Sequence, residues 1–161
     1  MAKHEFLLQC FSRGPEETEA LGAALGRLLQ IGEGVALRGE LGAGKTVFVR
    51  GLAQGLEVDE PGEVRSPTYL LMVEHPGPIP LLHLDAYFAK RGNDFLADGG
   101  QAYLSEAGVV AIEWAEKLSA QLPEDFLVIE LEHCSEEQRR LRIMGQRERW
   151  GQRIRQIADE S

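Results

Sequence analysis

The apolar positions of this chain fall into short runs separated by amphipathic or Gly/Pro-containing stretches, and run length and spacing sort them into strands and helices. Phe6, Leu7, Leu8 and Phe11 mark a first strand over residues 5–11. After Ser12, the acidic start Pro15-Glu16-Glu17 and the helical spacing of Leu21, Ala24, Leu25, Leu28 and Leu29 predict a helix that ends near Gly32. Val35-Ala36-Leu37 is a short buried strand, and residues 47–56 continue as a helix with Gly55 as its stop signal. Residues 58–62 form an acidic loop. Ser66-Pro67-Thr68 opens as a loop and runs into a strand through Val73, and the prolines of 75–80 make a turn.

Two further apolar runs, Leu81-Leu82-His83-Leu84-Asp85 and Val109-Val110-Ala111-Ile112-Glu113-Trp114, have a carboxylate at their ends. Between them, residues 86–108 read as a polar, Gly-rich connection with helical content around Phe95 and Tyr103. A short helix over 115–122, strands over 126–131 and 141–144, and a C-terminal helix over 147–158 complete the pattern, with no internal repeat. Strands alternating with helices predict a single α/β domain over 1–161, P-loop NTPase-like, its central mostly parallel sheet flanked by helices. Ligands of such sheets sit beyond the carboxyl ends of the strands.

The stretch Gly39-Glu40-Leu41-Gly42-Ala43-Gly44-Lys45-Thr46 has the P-loop spacing, with a strand before it and a helix after it. Glycine and alanine let the backbone curl so that successive N–H groups point at phosphate oxygens, and the helix start adds unpaired donors and the positive end of its dipole. Glu40, Leu41, Gly42, Ala43, Gly44, Lys45 and Thr46 are therefore the expected binding segment for ATP or ADP. Lys45 would reach the β- and γ-phosphates, and the Thr46 hydroxyl would ligate Mg²⁺.

A P-loop enzyme also needs a strand-end carboxylate for Mg²⁺, and Asp85 and Glu113 both qualify; either can hold the metal or orient the attacking water. Thr68, in the loop before a strand, has a hydroxyl able to sense the γ-phosphate or to complete the Mg²⁺ shell. His83 shares a strand face with Asp85 and reads either as an orienting group or, by preference, as a buried histidine with a satisfied hydrogen bond. Trp114 points opposite to Glu113 and reads as a packing residue.

Composition narrows the partners. With 43% apolar and 27% charged residues the chain has an ordinary globular balance, and no segment approaches a membrane span or a secretion signal, so a soluble cytoplasmic protein without membrane contact is expected. Cys10 and Cys134 fit no metal spacing, both lie in strand-like segments where free cysteines pack as small hydrophobes, and both suit a reducing compartment. A formal net charge of −9 disfavours stable tRNA binding by the chain alone, and the arginines at 139, 140, 142, 147, 149, 153 and 155 read as decoration of a solvated strand and helix.

Taken in order, the P-loop, Ser66-Pro67-Thr68-Tyr69, His83-Leu84-Asp85-Ala86-Tyr87 and Glu113-Trp114-Ala115-Glu116-Lys117-Leu118 resemble the signature of the TsaE family, formerly YjeE, with Glu16-Glu17-Thr18 and Leu21-Gly22 adding to the match. The resemblance implies an ATPase that works with TsaB-like and TsaD-like partners in placing threonylcarbamoyl on the adenosine next to the anticodon of tRNA. It implies that Thr46 and Glu113 hold Mg²⁺, that Asp85 is catalytic or sits behind the metal ligands, and that residues 66–69 are a switch loop. It also implies that the 12–18 segment and residues 139–142 border the adenine. The chain departs from the family where Ala86 and Phe88 replace the usual Leu and Arg around the tyrosine, with Arg91 as a candidate substitute, and where Gly-rich residues 92–100 replace a more apolar helical segment.

Two other readings stand beside this one. A small-molecule kinase shares the P-loop but needs an Arg-bearing lid, and residues 86–108 offer only Lys90 and Arg91. A nucleotide-gated interaction module would hydrolyse negligibly alone. A GTPase is disfavoured because the only asparagine, Asn93, sits in no guanine-reading pattern.

Overall fold

The computed structural model describes residues 4–40, 42–118 and 122–160. Seven strands form one sheet in the order β1-β7-β6-β2-β5-β4-β3. They are β1 (Glu5–Ser12), β2 (Gly34–Arg38), β3 (Met72–His75), β4 (Leu81–Asp85), β5 (Val109–Glu113), β6 (Leu127–His133) and β7 (Arg139–Gly145). The four middle strands β6, β2, β5 and β4 are parallel, while β7 and β3 run against them and β1 pairs antiparallel with β7. The helices are α1 (Pro15–Gly26), α2 (Lys45–Gly55), α3 (Ala89–Phe95), α4 (Gln101–Ala107) and α5 (Arg147–Glu160).

Alternation along the strands separates two cores. Val35, Leu37, Leu81, Val109, Ala111, Leu127 and Ile129 face α1, α2 and α5, where Leu25, Phe48, Leu52 and Trp150 bury against them. Ala36, Leu82, Leu84, Val110, Ile112 and Val128 face the other way, onto Leu96 and Leu104 of the 86–108 connection and onto Phe126. Burial on both sides explains why β4 and β5 are apolar throughout rather than alternating.

Helices α1 and α2 meet backbone to backbone through Gly22, Gly26, Gly51 and Gly55. A Cβ at Gly51 would lie 2.1 Å from the Glu19 carbonyl oxygen, and one at Gly22 would lie 2.3 Å from that of Phe48. Neither position has room for any side chain, so the contact fixes α2, the helix that follows the P-loop, against α1.

Several sequence expectations shift. The first helix stops at Gly26, six residues early, because Leu28 and Leu29 bond to carbonyls three residues back and tighten into the turn that feeds β2. Residues 67–70 form a turn rather than strand, Leu71 takes a left-handed conformation (φ 67), and pairing begins at Met72. The expected 115–122 helix is a single 3₁₀ turn, Ala115–Lys117, after which Leu118 is extended; residues 119–121 lie outside the described ones. Cys134 is exposed just beyond the end of β6, and Cys10 alone is in a strand.

Glu33, buried at 4% exposure, ties the C-terminal helix to the rest. Its carboxylate accepts from Arg153 (2.7 Å), Arg149 (3.2 Å) and the Gln30 backbone N–H (2.7 Å). Arg153 in turn lies 4.3 Å from the Trp150 ring centroid. Burial pushes the Glu33 carboxyl up, but the Arg153 and Gln30 hydrogen bonds and the nearby guanidinium charges outweigh it and hold the group below the ordinary glutamate range. The stabilisation is therefore present above the ordinary glutamate pKa and is lost as pH falls through the depressed value. Glu33→Gln should cost about 2 kcal/mol at pH 7 in urea unfolding, and its deficit should shrink as the wild-type group protonates in acid.

Candidate functional site: a glycine-rich loop beside two strand-end carboxylates

The loop after β2 curls as its composition demands. Gly42 (φ 82) and Gly44 (φ 105) occupy backbone conformations closed to most side chains, and α2 begins directly at Lys45. Leu41, expected in the binding segment, lies outside the described residues. The cradle opens onto a cavity of about 700 Å³, whose walls include Glu40, Gly42, Ala43, Gly44, Lys45, Thr46, Ser66, Thr68 and Glu113.

Lys45 is only 5% exposed and folds back on its own loop, donating to the carbonyl oxygens of Gly39 and Glu40. Its ammonium also lies 3.6 Å from the centroid of the Trp114 ring. Burial pulls the Lys45 pKa down, opposed by the charges of Glu116, Glu113, Asp85 and Glu40. Trp114 packs against the second core, as its strand position predicts, and also forms part of the cavity wall. Sequence reasoning missed that second contact, which depends on the left-handed turn at Trp114 (φ 59).

The two carboxylates have different partners. Parallel pairing of β4 with β5 sets Asp85 directly opposite Glu113, and both are 2% exposed. Glu113 accepts from the Thr46 hydroxyl, at 2.9 Å to Oε1 and 3.0 Å to Oε2. Asp85 accepts instead from the hydroxyls of Ser66 (3.0 Å) and Thr68 (2.9 Å) at Oδ2 and from the Tyr87 N–H (2.8 Å) at Oδ1. Asp85 does not line the cavity, whereas Ser66 and Thr68 do.

His83 is fully buried, with Nε2 2.5 Å from Glu113 Oε2 and Nδ1 without a partner. The expectation of a satisfied buried histidine is met at one nitrogen only. Gly14, Pro15, Thr18 and Arg139 also line the cavity, so part of the 12–18 segment borders it. Of residues 139–142, Arg139 alone reaches this cavity; Arg140 and Arg142 face a second groove shared with Arg38, Glu130 and Glu132. Arg91 donates to the Tyr69 carbonyl at 3.1 Å and is not part of the cavity wall. Other arginines of the basic cluster pair with acids: Arg140 with Glu132, Arg147 with Glu5, and Arg149 and Arg153 with Glu33.

A family model described as "Threonylcarbamoyl adenosine biosynthesis protein TsaE" matches residues 12–141. The chain belongs to the TsaE family. It is 38% identical over 136 residues to the "tRNA threonylcarbamoyladenosine biosynthesis protein TsaE" of Treponema pallidum, covering 84% of this chain and 99% of that one. The protein of the same description from Streptomyces coelicolor is 39% identical over 138 residues, covering 81% and 91%. Among solved structures, "Crystal structure of Bacillus subtilus YdiB" superposes with a TM-score of 0.76 at 28% identity, covering 99% of this chain and 97% of that one. The family match ends before α5, so the Glu33–Arg153 tie joins a helix outside the matched residues to the turn before β2.

In this TsaE-family chain Asp85 anchors the 66–69 loop through the Ser66 and Thr68 hydroxyls, while Arg91 holds the Tyr69 carbonyl. Asp85→Ala removes the acceptor from both hydroxyls and from the Tyr87 N–H, and each hydrogen bond to a charged group contributes about 1.5–3 kcal/mol. The backbone amides of Ser66 and of residues 68–71 should therefore exchange at least about tenfold faster in hydrogen–deuterium exchange, while α2 amides stay at wild-type rates.

Proposed function

We propose that the chain is a Mg²⁺-dependent ATPase that serves threonylcarbamoyladenosine formation in tRNA together with TsaB-like and TsaD-like partners. The observation that carries this reading is the hydrogen bond of the Thr46 hydroxyl to Glu113, made at the mouth of a glycine-built N–H cradle that also holds Lys45. A hydroxyl beside a carboxylate is an all-oxygen donor pair, which suits Mg²⁺. Among the described residues no cluster of three or more His, Cys, Asp or Glu builds an all-protein cage. That too suits Mg²⁺, which is commonly held by one or two protein oxygens and the substrate phosphates.

When bound, Mg·ATP supplies the transferable phosphoryl group and a cation that neutralises its charge. The chain's own residues do the positioning. Lys45 would exchange the Gly39 and Glu40 carbonyls for phosphate oxygens, and Thr46 and Glu113 would hold the cation. With Ser66 and Thr68 turned toward the phosphates, Asp85 would lose its two hydroxyl partners and be free to orient a water. With Lys45 and Asp85 both engaged inside the protein, turnover by the isolated chain is slow, and a partner that favours the released loop raises it. Residues 139–142 contribute through Arg139, and Gly14, Pro15 and Thr18 face the base.

The kinase reading gains nothing from the 86–108 connection. Lys90 pairs with Asp94, Arg91 with the Tyr69 carbonyl, and neither faces the cavity. No helix among the described residues is long and apolar enough to cross a membrane, which agrees with a cytoplasmic role beside tRNA-modifying partners.

Phosphate release from Mg·ATP, measured for the chain alone and then with both partners, tests the proposal: a low rate that rises severalfold with both supports it. An unchanged rate with partners that rises with a small acceptor would instead favour a kinase. Lys45→Ala should abolish nucleotide binding, and Glu113→Ala should keep binding but lose most Mg²⁺-dependent turnover. Wild-type turnover in either variant would overturn the site.

A further inference from the structure

His83 is a buried polar side chain in contact with the site to which the foregoing account gives no task. It is fully buried on β4, the strand between β3 and β5, and among the described residues its polar contact is Nε2 with Glu113 Oε2. A carboxylate oxygen accepts, so the tautomer that makes this hydrogen bond carries its hydrogen on Nε2. Nδ1 is left without a partner, as is Nε2 of the neighbouring buried His75, whose ring centroid is 6.5 Å away. A buried ring nitrogen without a hydrogen bond costs stability. A leucine of similar size would avoid that cost, so packing alone gives no reason for a histidine here.

We infer that His83 is a positioning residue that pins Glu113 Oε2 so that the carboxylate offers a bound cation one oxygen rather than two, and thereby favours Mg²⁺ over Ca²⁺. The inference rests on the proposed metal role of Thr46 and Glu113. Mg²⁺ demands near-octahedral coordination and takes carboxylates through one oxygen, whereas Ca²⁺ accepts both oxygens of one carboxylate and a looser shell. Glu113 has two groups acting on it. Thr46 Oγ1 sits almost equidistant from both oxygens (2.9 and 3.0 Å) and does not discriminate between them, while His83 holds Oε2 alone. The asymmetry of the carboxylate thus comes from His83, whose full burial restricts the ring.

The test is binding of a fluorescent ATP analogue to the full chain, titrated separately with MgCl₂ and CaCl₂, for wild type, His83→Leu, His83→Gln, His83→Asn and Glu113→Ala. Loss of an outer hydrogen bond to a ligand typically weakens metal affinity about 10–100-fold. In His83→Leu the Mg²⁺ concentration at half-effect should rise at least about tenfold, with a much smaller change for Ca²⁺, so that the Ca²⁺-to-Mg²⁺ preference shifts. Analogue binding in EDTA should be unchanged. His83→Gln places an amide N–H near the Nε2 position and should restore the wild-type preference. His83→Asn, polar but too short to reach Glu113, should behave like His83→Leu. This pair carries the test if His83→Leu does not fold. An unaltered Mg²⁺-to-Ca²⁺ preference in folded His83→Leu, or equal behaviour of the Gln and Asn variants, overturns the inference. Glu113→Ala with wild-type Mg²⁺ dependence would instead overturn the metal reading on which it rests.

Discussion

Parallel pairing of β4 with β5 sets the geometry on which the site depends. In that register Asp85 stands opposite Glu113 and His83 opposite Ala111, so two carboxylates and an imidazole arrive at one end of the sheet on one face. The P-loop leaves β2, which pairs with β5 on its other side, and Lys45 opens α2 above the same face. A shift of one residue in the β4–β5 pairing would turn His83 and Asp85 onto the α3–α4 side, since side chains alternate faces at every step. The heavy burial on both sides of β4 and β5 opposes such a slip, because each core would then receive residues selected for the other.

The glycine contact between α1 and α2 provides the second constraint. Parallel strands place the loop, but they do not fix the tilt of the helix that follows it. With Gly22, Gly26, Gly51 and Gly55 allowing backbone contact, α2 has little freedom to roll, and Thr46 on its first turn is held where its hydroxyl reaches Glu113. The same packing carries Pro15 and Thr18 of α1 to the wall of the cavity. One helix pair therefore positions both Thr46 and the α1 residues that line the cavity.

What was legible in the sequence is what local order encodes. The P-loop spacing, the apolar runs ending at Asp85 and Glu113, and the hydroxyl-bearing 66–68 loop could all be identified, because each is a contiguous string with its own chemistry. The assignment of one carboxylate to Thr46 and the other to Ser66 and Thr68 was not legible. Both acids follow near-identical apolar runs, and only the strand order, with β5 beside β2 and β4 one place further out, distinguishes them. Local periodicity also overran at two ends. It continued α1 through Leu28 and Leu29, which are apolar because they pack in the turn. It extended a helix past Lys117, although the left-handed backbone at Trp114 and the extended one at Leu118 limit that segment to a single turn. Glu33 gave no sequence signal, since its partners lie more than a hundred positions away on α5.

Under the proposed reading, the different partners of the two carboxylates would leave the chain at rest with part of its site occupied from within. Thr46 and Glu113 are already together, so that end of the site is organised in advance. At the other end, Lys45 is satisfied by its own loop carbonyls and Asp85 by two hydroxyls, so each active group has an internal partner to leave before it can act. A buried carboxylate with two hydroxyl donors is stable, and releasing it requires a better acceptor for the hydroxyls than Asp85. A γ-phosphate is such an acceptor, being more highly charged and richer in oxygens, whereas a diphosphate ends short of it. The loop that carries Ser66 and Thr68 also carries Tyr69 and Leu70, which are 82% and 69% exposed, so exchanging acceptors displaces an apolar surface as well as freeing Asp85. Under the proposed ATPase reading, hydrolysis would reverse both changes together and so tie the state of the site to the shape it presents outside.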